Sequence, residues 1–288
     1  MSAVAPQFRF VQVEFAWPLG PPDGRYLLRP PERPEADPAH VIVFATLGAP
    51  ERRRLTTVRK QRDAPARPAP RPVATGRATV IDVARPLSDS ARARAWLQQA
   101  GEDELDGGLQ VLNRALHAFR LVTADPHLHT VGRRQALVAR VGFGHGEDVA
   151  DGLWTDAREL LLAGGRPRRA RVLQPQARLA AVLGAREEPL VCEELALRAH
   201  QDLDQGHDRE AALQVLVALD AALAELARDP TAAALADRLV ELREQRERAA
   251  VAAQSALAGP LAEGEREAVA FTLSRIESAL RARAVANA

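Results

Sequence analysis

The chain has little of several residue types that mark common protein classes. Cys192 is the only cysteine among its 288 residues, which excludes an intramolecular disulfide and any zinc site built on several thiolates. This suits a reducing compartment, so we expect a cytoplasmic protein. Lysine is nearly absent as well, because every basic residue except Lys60 is arginine. With alanine so abundant, we interpret the arginines as GC-rich codon usage rather than as selection for phosphate contacts.

Neither charge nor hydrophobicity dominates the chain. Its 39 Lys+Arg nearly balance 38 Asp+Glu, for a net charge of +1, which argues against attraction of the whole surface to nucleic acid or anionic lipid. No apolar run approaches the roughly 20 residues of a membrane span. The first ten residues also lack the basic-then-apolar pattern of a secretory signal. We therefore expect an intracellular protein without a membrane span.

Aromatic residues are few and cluster near the N-terminus, where the pattern predicts strands. Alternation at Val11, Val13 and Phe15 predicts a half-buried strand, with Arg9, Gln12 and Glu14 expected mostly on its other face. The turn sequence Pro21-Pro22-Asp23-Gly24 predicts a hairpin that continues into a second strand at 25–29. Further strands are predicted at 40–47, 78–83 and 136–141, which gives a small mixed or antiparallel sheet of four or five strands.

Leucine spacing predicts helices beside this sheet. A helix is expected from Ser88 or Ser90 through Leu97, and a stronger one over 103–122. In the second helix, leucines and one phenylalanine recur at intervals of four, three, four and three: Leu105, Leu109, Leu112, Leu116 and Phe119. The sheet and these helices form an α+β domain over 1–163.

The second half of the chain is predicted to be an alanine-rich, all-α helical bundle over 164–288, beginning at the Gly164-Gly165-Arg166-Pro167 boundary. Its helices are expected near 175–184, 189–204, 208–228, 230–257 and 265–284. The last two carry narrow apolar stripes, which are Leu235, Leu239 and Leu242, then Val269, Leu273, Ile276 and Leu280. Such stripes pack against other helices, either inside an antiparallel bundle or at a seam between copies, and both alternatives stay open.

The most site-like segment spans residues 125–151. It contains a predicted strand followed by a glycine-rich turn whose candidate ligand-binding residues are Gly142, Gly144, His145, Gly146 and Glu147. We expect a structural turn there, and the alternative is a site for a cation or polar ligand. A phosphate cradle is disfavoured, because the glycine spacing does not fit and neighbouring carboxylates would repel an anion.

The same segment offers residue types that bind metal ions. His127, His129 and His145 are the candidate ligands for a divalent metal. The alternative is a surface loop with ordinary titrating histidines. We predict no cofactor otherwise.

A proline-rich, basic stretch at about 51–75 has too little apolar surface to order itself, so a mobile loop is expected. Its candidate contacts to phosphate or to an acidic partner are Arg52, Arg53, Arg54, Arg59, Lys60 and Arg62. Such an arm, over 52–71, can bind nucleic acid without sequence preference. No aromatic residue interrupts it, so base stacking is unsupported.

Familiar catalytic machinery is missing. The chain has no Gly-x-Ser-x-Gly motif, and Cys192 is expected to be a buried thiol. Asn113 and His117 are expected to edge a core. These features favour a non-enzymatic interaction or assembly protein whose C-terminal helices dock a protein partner or another copy. The alternatives are a metal-dependent enzyme or small-ligand binder centred on 125–151, and nucleic-acid binding through the 52–71 arm.

Overall fold

The chain forms two compact units, Met1–Gly164 and Gly165–Ala288, here called the sheet unit and the helical unit. The computed structural model describes residues 6–30, 33, 35–48, 73–160 and 175–286. The expected boundary between 163 and 164 lies outside these residues, as does the core of the expected mobile loop.

Six strands in the described part of the sheet unit form one sheet, in the order β2-β3-β4-β1-β5-β6. The strands are β1 Gln7–Phe15, β2 Gly24–Leu28, β3 His40–Leu47, β4 Thr75–Leu87, β5 Ala136–His145 and β6 Asp156–Glu159. All neighbouring pairs run antiparallel. The predicted α+β class with a small antiparallel sheet is therefore confirmed.

Two helices pack on the sheet face that carries Val11, Val13 and Phe15. They are α1 Ser90–Gln99, whose N-terminus is capped by the Asp89 side chain, and α2 Glu102–Thr123. The predicted α2 leucines at 105, 109, 112 and 116 are all buried in this layer. The short helix α3, Gly146–Ala150, buries Val149 in a small second cluster with Phe10 and Ile81.

Two expectations about β1 are wrong. It does not form a hairpin with β2, because β4 and β5 occupy its two edges and β2 pairs with β3. The connection between β1 and β2 is too long for a tight hairpin. Arg9 does not lie on the face opposite Val11 either, since it stacks on Trp96 of α1. Two-residue alternation places Arg9 and Val11 on one side of the strand.

Two element boundaries also differ from expectation. The sixth strand, β6, escaped prediction because its four residues are mostly charged and show no apolar alternation. The helix expected from 230 begins instead at Ala236, after a 3-10 turn at Ala232–Leu235. The Asp229 carboxylate accepts hydrogen bonds from the backbone N–H and the hydroxyl of Thr231 (2.9 and 2.5 Å), which stabilises a turn there.

Five helices form the described part of the helical unit. They are α4 Pro175–Leu183, α5 Val191–Asp204, α6 Asp208–Leu226, α7 Ala236–Ala258 and α8 Glu263–Ala286. Both predicted stripes pack into one core with buried alanines of α6 and α7, and only Leu280 of these stripe residues is partly exposed. The core also contains the free thiol of Cys192, as predicted. Burial and the neighbouring Glu225 carboxylate raise the pKa of that thiol.

Among the described residues, no helix is long and apolar enough to cross a membrane.

Candidate functional site

The glycines of the predicted turn lie inside a strand instead. Gly142 and Gly144 belong to β5 and face Phe10 and Phe8 of β1 across the ladder. A Cβ on Gly142 would lie 2.6 Å from Cζ of Phe10 and 2.7 Å from Cβ of Ala157. The expected turn at 142–146 is therefore wrong, because these glycines make room for side-chain packing rather than for a change of chain direction.

The last three residues of that motif lie at the junction between β5 and α3. His145 ends the strand, and Gly146 and Glu147 begin the helix. Arg25 of β2 donates hydrogen bonds to the carboxylates of Glu147 and Asp151, both at 2.6 Å. The Glu147 carboxylate is thus paired within the chain, although exposed pairs of this kind contribute little stability.

The predicted metal ligands are not brought together. His127 and His129 are exposed in the segment after α2, where the backbone N–H of His127 donates to Asp125 Oδ1 at 2.9 Å. Within the described ranges, no three His, Cys, Asp or Glu side chains are grouped as a metal ion would require. A metal site that includes His145 stays a prediction without support from this geometry.

The basic arm cannot be placed. Its six candidate contacts, Arg52, Arg53, Arg54, Arg59, Lys60 and Arg62, all lie outside the described residues. Nucleic-acid binding through 52–71 therefore stays a prediction.

A groove of about 770 Å³ runs along the helical unit between α7 and α8. Its ten lining residues are Glu244, Gln245, Glu247, Arg248 and Val251 of α7, with Gly264, Glu265, Glu267, Ala268 and Phe271 of α8. We call these residues the α7/α8 groove. Hydrogen bonds join the two helices near both ends, from Ser255 to Glu265 (2.5 Å) and from Arg238 to Ser278 (2.7 Å). These bonds fix the distance between the helices along the groove.

The floor of the groove is apolar and open. Val251 is 56% exposed and Phe271 is 48% exposed. Arg275 lies 5.2 Å from the centre of the Phe271 ring, which orients the ring from one side by a cation–π contact. Large apolar side chains exposed in a concave surface are typical of sites that bind another molecule.

The rim of the groove is acidic. Glu244, Glu247 and Glu267 form no ion pair or hydrogen bond within the described part of the chain, and neither does Arg248. Glu265 is the only groove carboxylate engaged, since it accepts from Ser255 and from the backbone N–H of Ala262 (2.5 and 2.8 Å). The groove residues carry four carboxylates and one guanidinium, and Arg275 adds a second guanidinium beside Phe271. The net charge is therefore negative and favours a basic ligand.

The groove was not predicted from the sequence, although one signal was present. Phe271 is the sole aromatic residue of 165–288, and it lies outside the apolar stripe formed by Val269, Leu273 and Ile276. An aromatic residue off the stripe of an amphipathic helix is expected to face solvent. That position alone could have marked the outer surface of α8 as a candidate.

Comparison with known proteins finds no relative. No protein-family model matches the chain, and no curated protein or solved structure matches it either.

Proposed function

We propose that this chain is a non-enzymatic interaction protein whose helical unit binds a partner protein through the α7/α8 groove. The occupant is a basic, partly apolar segment of the partner. One observation carries the proposal: the exposed Phe271 and Val251 side chains line the same groove as three glutamates without a partner in the described part of the chain.

The two properties of the groove supply different parts of the binding. Fully burying an exposed side chain of this size contributes roughly 1.5 to 3 kcal/mol. Phe271 is 48% exposed, so covering it contributes roughly half of that, which favours a leucine-like or aromatic anchor on the partner. The free glutamates attract Lys and Arg residues next to that anchor and raise the association rate. An amphipathic helix with a basic face has this combination and fits a groove between two helices.

Binding of a different protein is favoured over self-assembly, because the predicted apolar stripes cannot form a contact between copies. Those stripes pack inside the core of the helical unit, where Val269 and Ile276 are fully buried, so they are not available as a seam between copies. A second copy would have to bind through the outer surface of the helical unit instead. If the grooves of two copies faced each other, their glutamates would repel.

A labelled synthetic peptide that forms a helix with one lysine face and one leucine face tests this proposal. Its binding to the full chain is measured by fluorescence anisotropy. We expect saturable binding that weakens as salt is added, because the rim interaction is electrostatic. Phe271→Ala should weaken it by about tenfold, the equivalent of roughly 1.4 kcal/mol. Replacing Glu244, Glu247 and Glu267 by lysine should abolish it.

Two controls decide the outcome. Val240→Ala removes a side chain that is 52% exposed on α7 but outside the groove, and it should leave binding unchanged. A peptide with glutamate in place of lysine should not bind. Equal binding of both peptides, or equal loss in the Phe271→Ala and Val240→Ala variants, would reject the groove as a basic-segment site.

Light scattering separates a partner from another copy. The mass of the full chain, compared with a chain that ends near Gly165, reports whether the helical unit drives assembly. A monomeric full chain would support the proposal that the groove binds a different protein. An oligomer that Phe271→Ala dissociates would show instead that the groove holds a second copy.

A further inference from the structure

A second cavity lies in the sheet unit, where α2 begins to cross the sheet. It encloses about 320 Å³, at the lower end of the range for small-molecule sites. Its walls come from β1, β3, β4, α1 and α2, and its charged or polar residues are Arg9, His40, Asp82, Arg85, Trp96, Asp103 and Glu104. We call it the Arg9 pocket.

A row of polar residues forms the inner wall of this pocket. Arg9 of β1, Asp82 of β4 and His40 of β3 are direct neighbours across the strands. The next row on this face is apolar, with Val11, Val80 and Ile42 in the helix-facing core. Three adjacent polar side chains at the margin of an apolar layer are unusual in a core and typical of a binding pocket.

Arg9 has a charge that the described part of the chain does not neutralise. Asp82, its cross-strand neighbour, is engaged by Arg85, whose guanidinium lies 3.0 Å from the Asp82 carboxylate and whose backbone N–H also donates to it. The Arg9 guanidinium instead lies 5.3 Å from the centre of the Trp96 ring. Stacking on an indole holds the plane of a guanidinium and leaves its edge available for an anion.

Two buried atoms of the pocket lack hydrogen-bond partners. They are Nε of Arg9 and Nδ1 of His40. Buried polar atoms are nearly always hydrogen-bonded in folded proteins. Both atoms belong to residues that line the pocket, so a ligand there would lie beside polar groups that the described part of the chain leaves unsatisfied.

The pocket is lined by the carboxylates of Asp82, Asp103 and Glu104 and by the guanidiniums of Arg9 and Arg85. Of the two guanidiniums, only that of Arg9 lacks a carboxylate partner among the described residues. Burial lowers the pKa of His40, Asp82 opposes this, and the nearby Arg114 and Arg85 lower it further. The Glu104 carboxylate is used at the start of α2, where it accepts from the Gly101 N–H at 2.6 Å. The strands thus contribute the unpaired Arg9 and an imidazole whose pKa is lowered, while the carboxylates of Asp103 and Glu104 lie on α2.

We infer that the Arg9 pocket binds a small organic carboxylate. The two Nη groups of the Arg9 guanidinium form a paired hydrogen bond with the carboxylate oxygens, the geometry that an arginine edge offers. The His40 ring nitrogen bonds a second polar group of the same ligand. This site lies in the sheet unit and is independent of the α7/α8 groove.

Isothermal titration calorimetry of the full chain with benzoate, succinate and L-glutamate tests the site. At least one of these probes should bind, and its amide counterpart should not. Arg9→Gln should weaken binding by at least about tenfold, because it removes the charged donor pair. Arg94→Gln, which changes an exposed arginine of α1 outside the pocket, should leave binding unchanged.

A second variant keeps the test decisive if Arg9→Gln impairs folding. Gly107 lines the pocket, and a Cβ there meets nothing within 4 Å. A leucine side chain therefore fits at this position beside the pocket, and Gly107→Leu should reduce binding too. Three results would overturn the inference: no probe binds the wild-type chain, binding survives in folded Arg9→Gln or in Gly107→Leu, or inorganic phosphate binds as tightly as every carboxylate.

Discussion

Asn113 and Val131 exchange two hydrogen bonds, from Asn113 Nδ2 to the Val131 carbonyl (2.9 Å) and from the Val131 N–H to Asn113 Oδ1 (2.8 Å). The asparagine side chain is 3% exposed. It therefore acts as a backbone substitute that ties the segment after α2 to the middle of that helix. This confirms the expectation that Asn113 edges a core.

Asn113→Ala should lower the free energy of unfolding by about 1 to 3 kcal/mol, because it leaves a buried N–H and a buried carbonyl of Val131 unsatisfied. Urea unfolding of the full chain, followed by far-UV circular dichroism, measures the loss. Gln110→Ala on the exposed side of α2 is the matched control and should change stability little. Equal effects of the two substitutions would contradict the backbone-substitute role.

Gly107 and Gly108 of α2 should respond to alanine in opposite directions. A Cβ on Gly107 meets open space, whereas one on Gly108 would lie 2.7 to 2.9 Å from three side-chain carbons of Val11. Gly107→Ala should raise stability by about 1 kcal/mol through helix propensity alone. Gly108→Ala should lower it, because α2 must move away from β1. Thermal unfolding of both variants checks the sign, and a stabilised Gly108→Ala chain would show that the helix has room to shift.

The sequence predicted the elements whose residues repeat with a clear period. The α2 leucines and the α8 stripe of Val269, Leu273 and Ile276 are buried in a core, as their spacing predicts. The strand order was not predicted. In the structure β4 and β5 pair with the two edges of β1, and such pairing between distant segments cannot be read from the local sequence of a strand.

The candidate sites escaped for a related reason. The groove forms only where the outer surfaces of two helices meet. Glu247 and Phe271 lie on different helices, so no periodic sequence pattern connects them. Arg9 was assigned to the wrong face because its charge outweighed its two-residue spacing from Val11, although strand geometry depends on spacing. The glycines at 142 and 144 suggested a ligand-binding turn, but Gly142 is required by packing against Phe10.

His40 should titrate below the ordinary histidine pKa of 6.5 because burial disfavours its charged form. Histidine NMR titration of the full chain measures this value. Asp82→Asn should lower the pKa further, since it removes the one carboxylate that favours protonation, and Arg114→Gln should raise it.

The sign of the linked stability follows from that direction. With a folded-state pKa below the unfolded value, His40 binds its proton more readily in the unfolded chain, so stability falls as the pH drops below about 6.5. Titration of His40 at or above 6.5, or a shift in the same direction in both variants, would contradict the assigned causes.

Arg283 and Asp229 form the most buried ion pair among the described residues, and its removal should be costly. Arg283 Nε donates to Asp229 Oδ2 at 2.6 Å, and the two side chains are 10% and 5% exposed. Asp229→Asn should lower the free energy of unfolding by about 1.5 to 3 kcal/mol at neutral pH, because it removes the charged hydrogen-bond partner of a buried guanidinium. Arg283 then keeps only the more distant carboxylates of Glu193 and Glu187, at 3.7 and 3.8 Å. Asp220→Asn is the matched control, since the Asp220–Arg246 pair of 2.7 Å is 45% and 58% exposed, and it should cost less than about 1 kcal/mol.

The same pair should make the helical unit sensitive to acid. Burial would raise the pKa of Asp229, but hydrogen bonds from Thr231 and Arg283 lower it from 3.8 to about 2. Because the folded-state pKa lies below the unfolded value, the Asp229 carboxylate contributes stability above pH of about 4 and loses it as the pH falls through about 2. The gap in stability between wild type and Asp229→Asn should therefore narrow over that range. A gap that stays constant down to pH of about 2 would show that Asp229 does not hold its charge through the pair with Arg283.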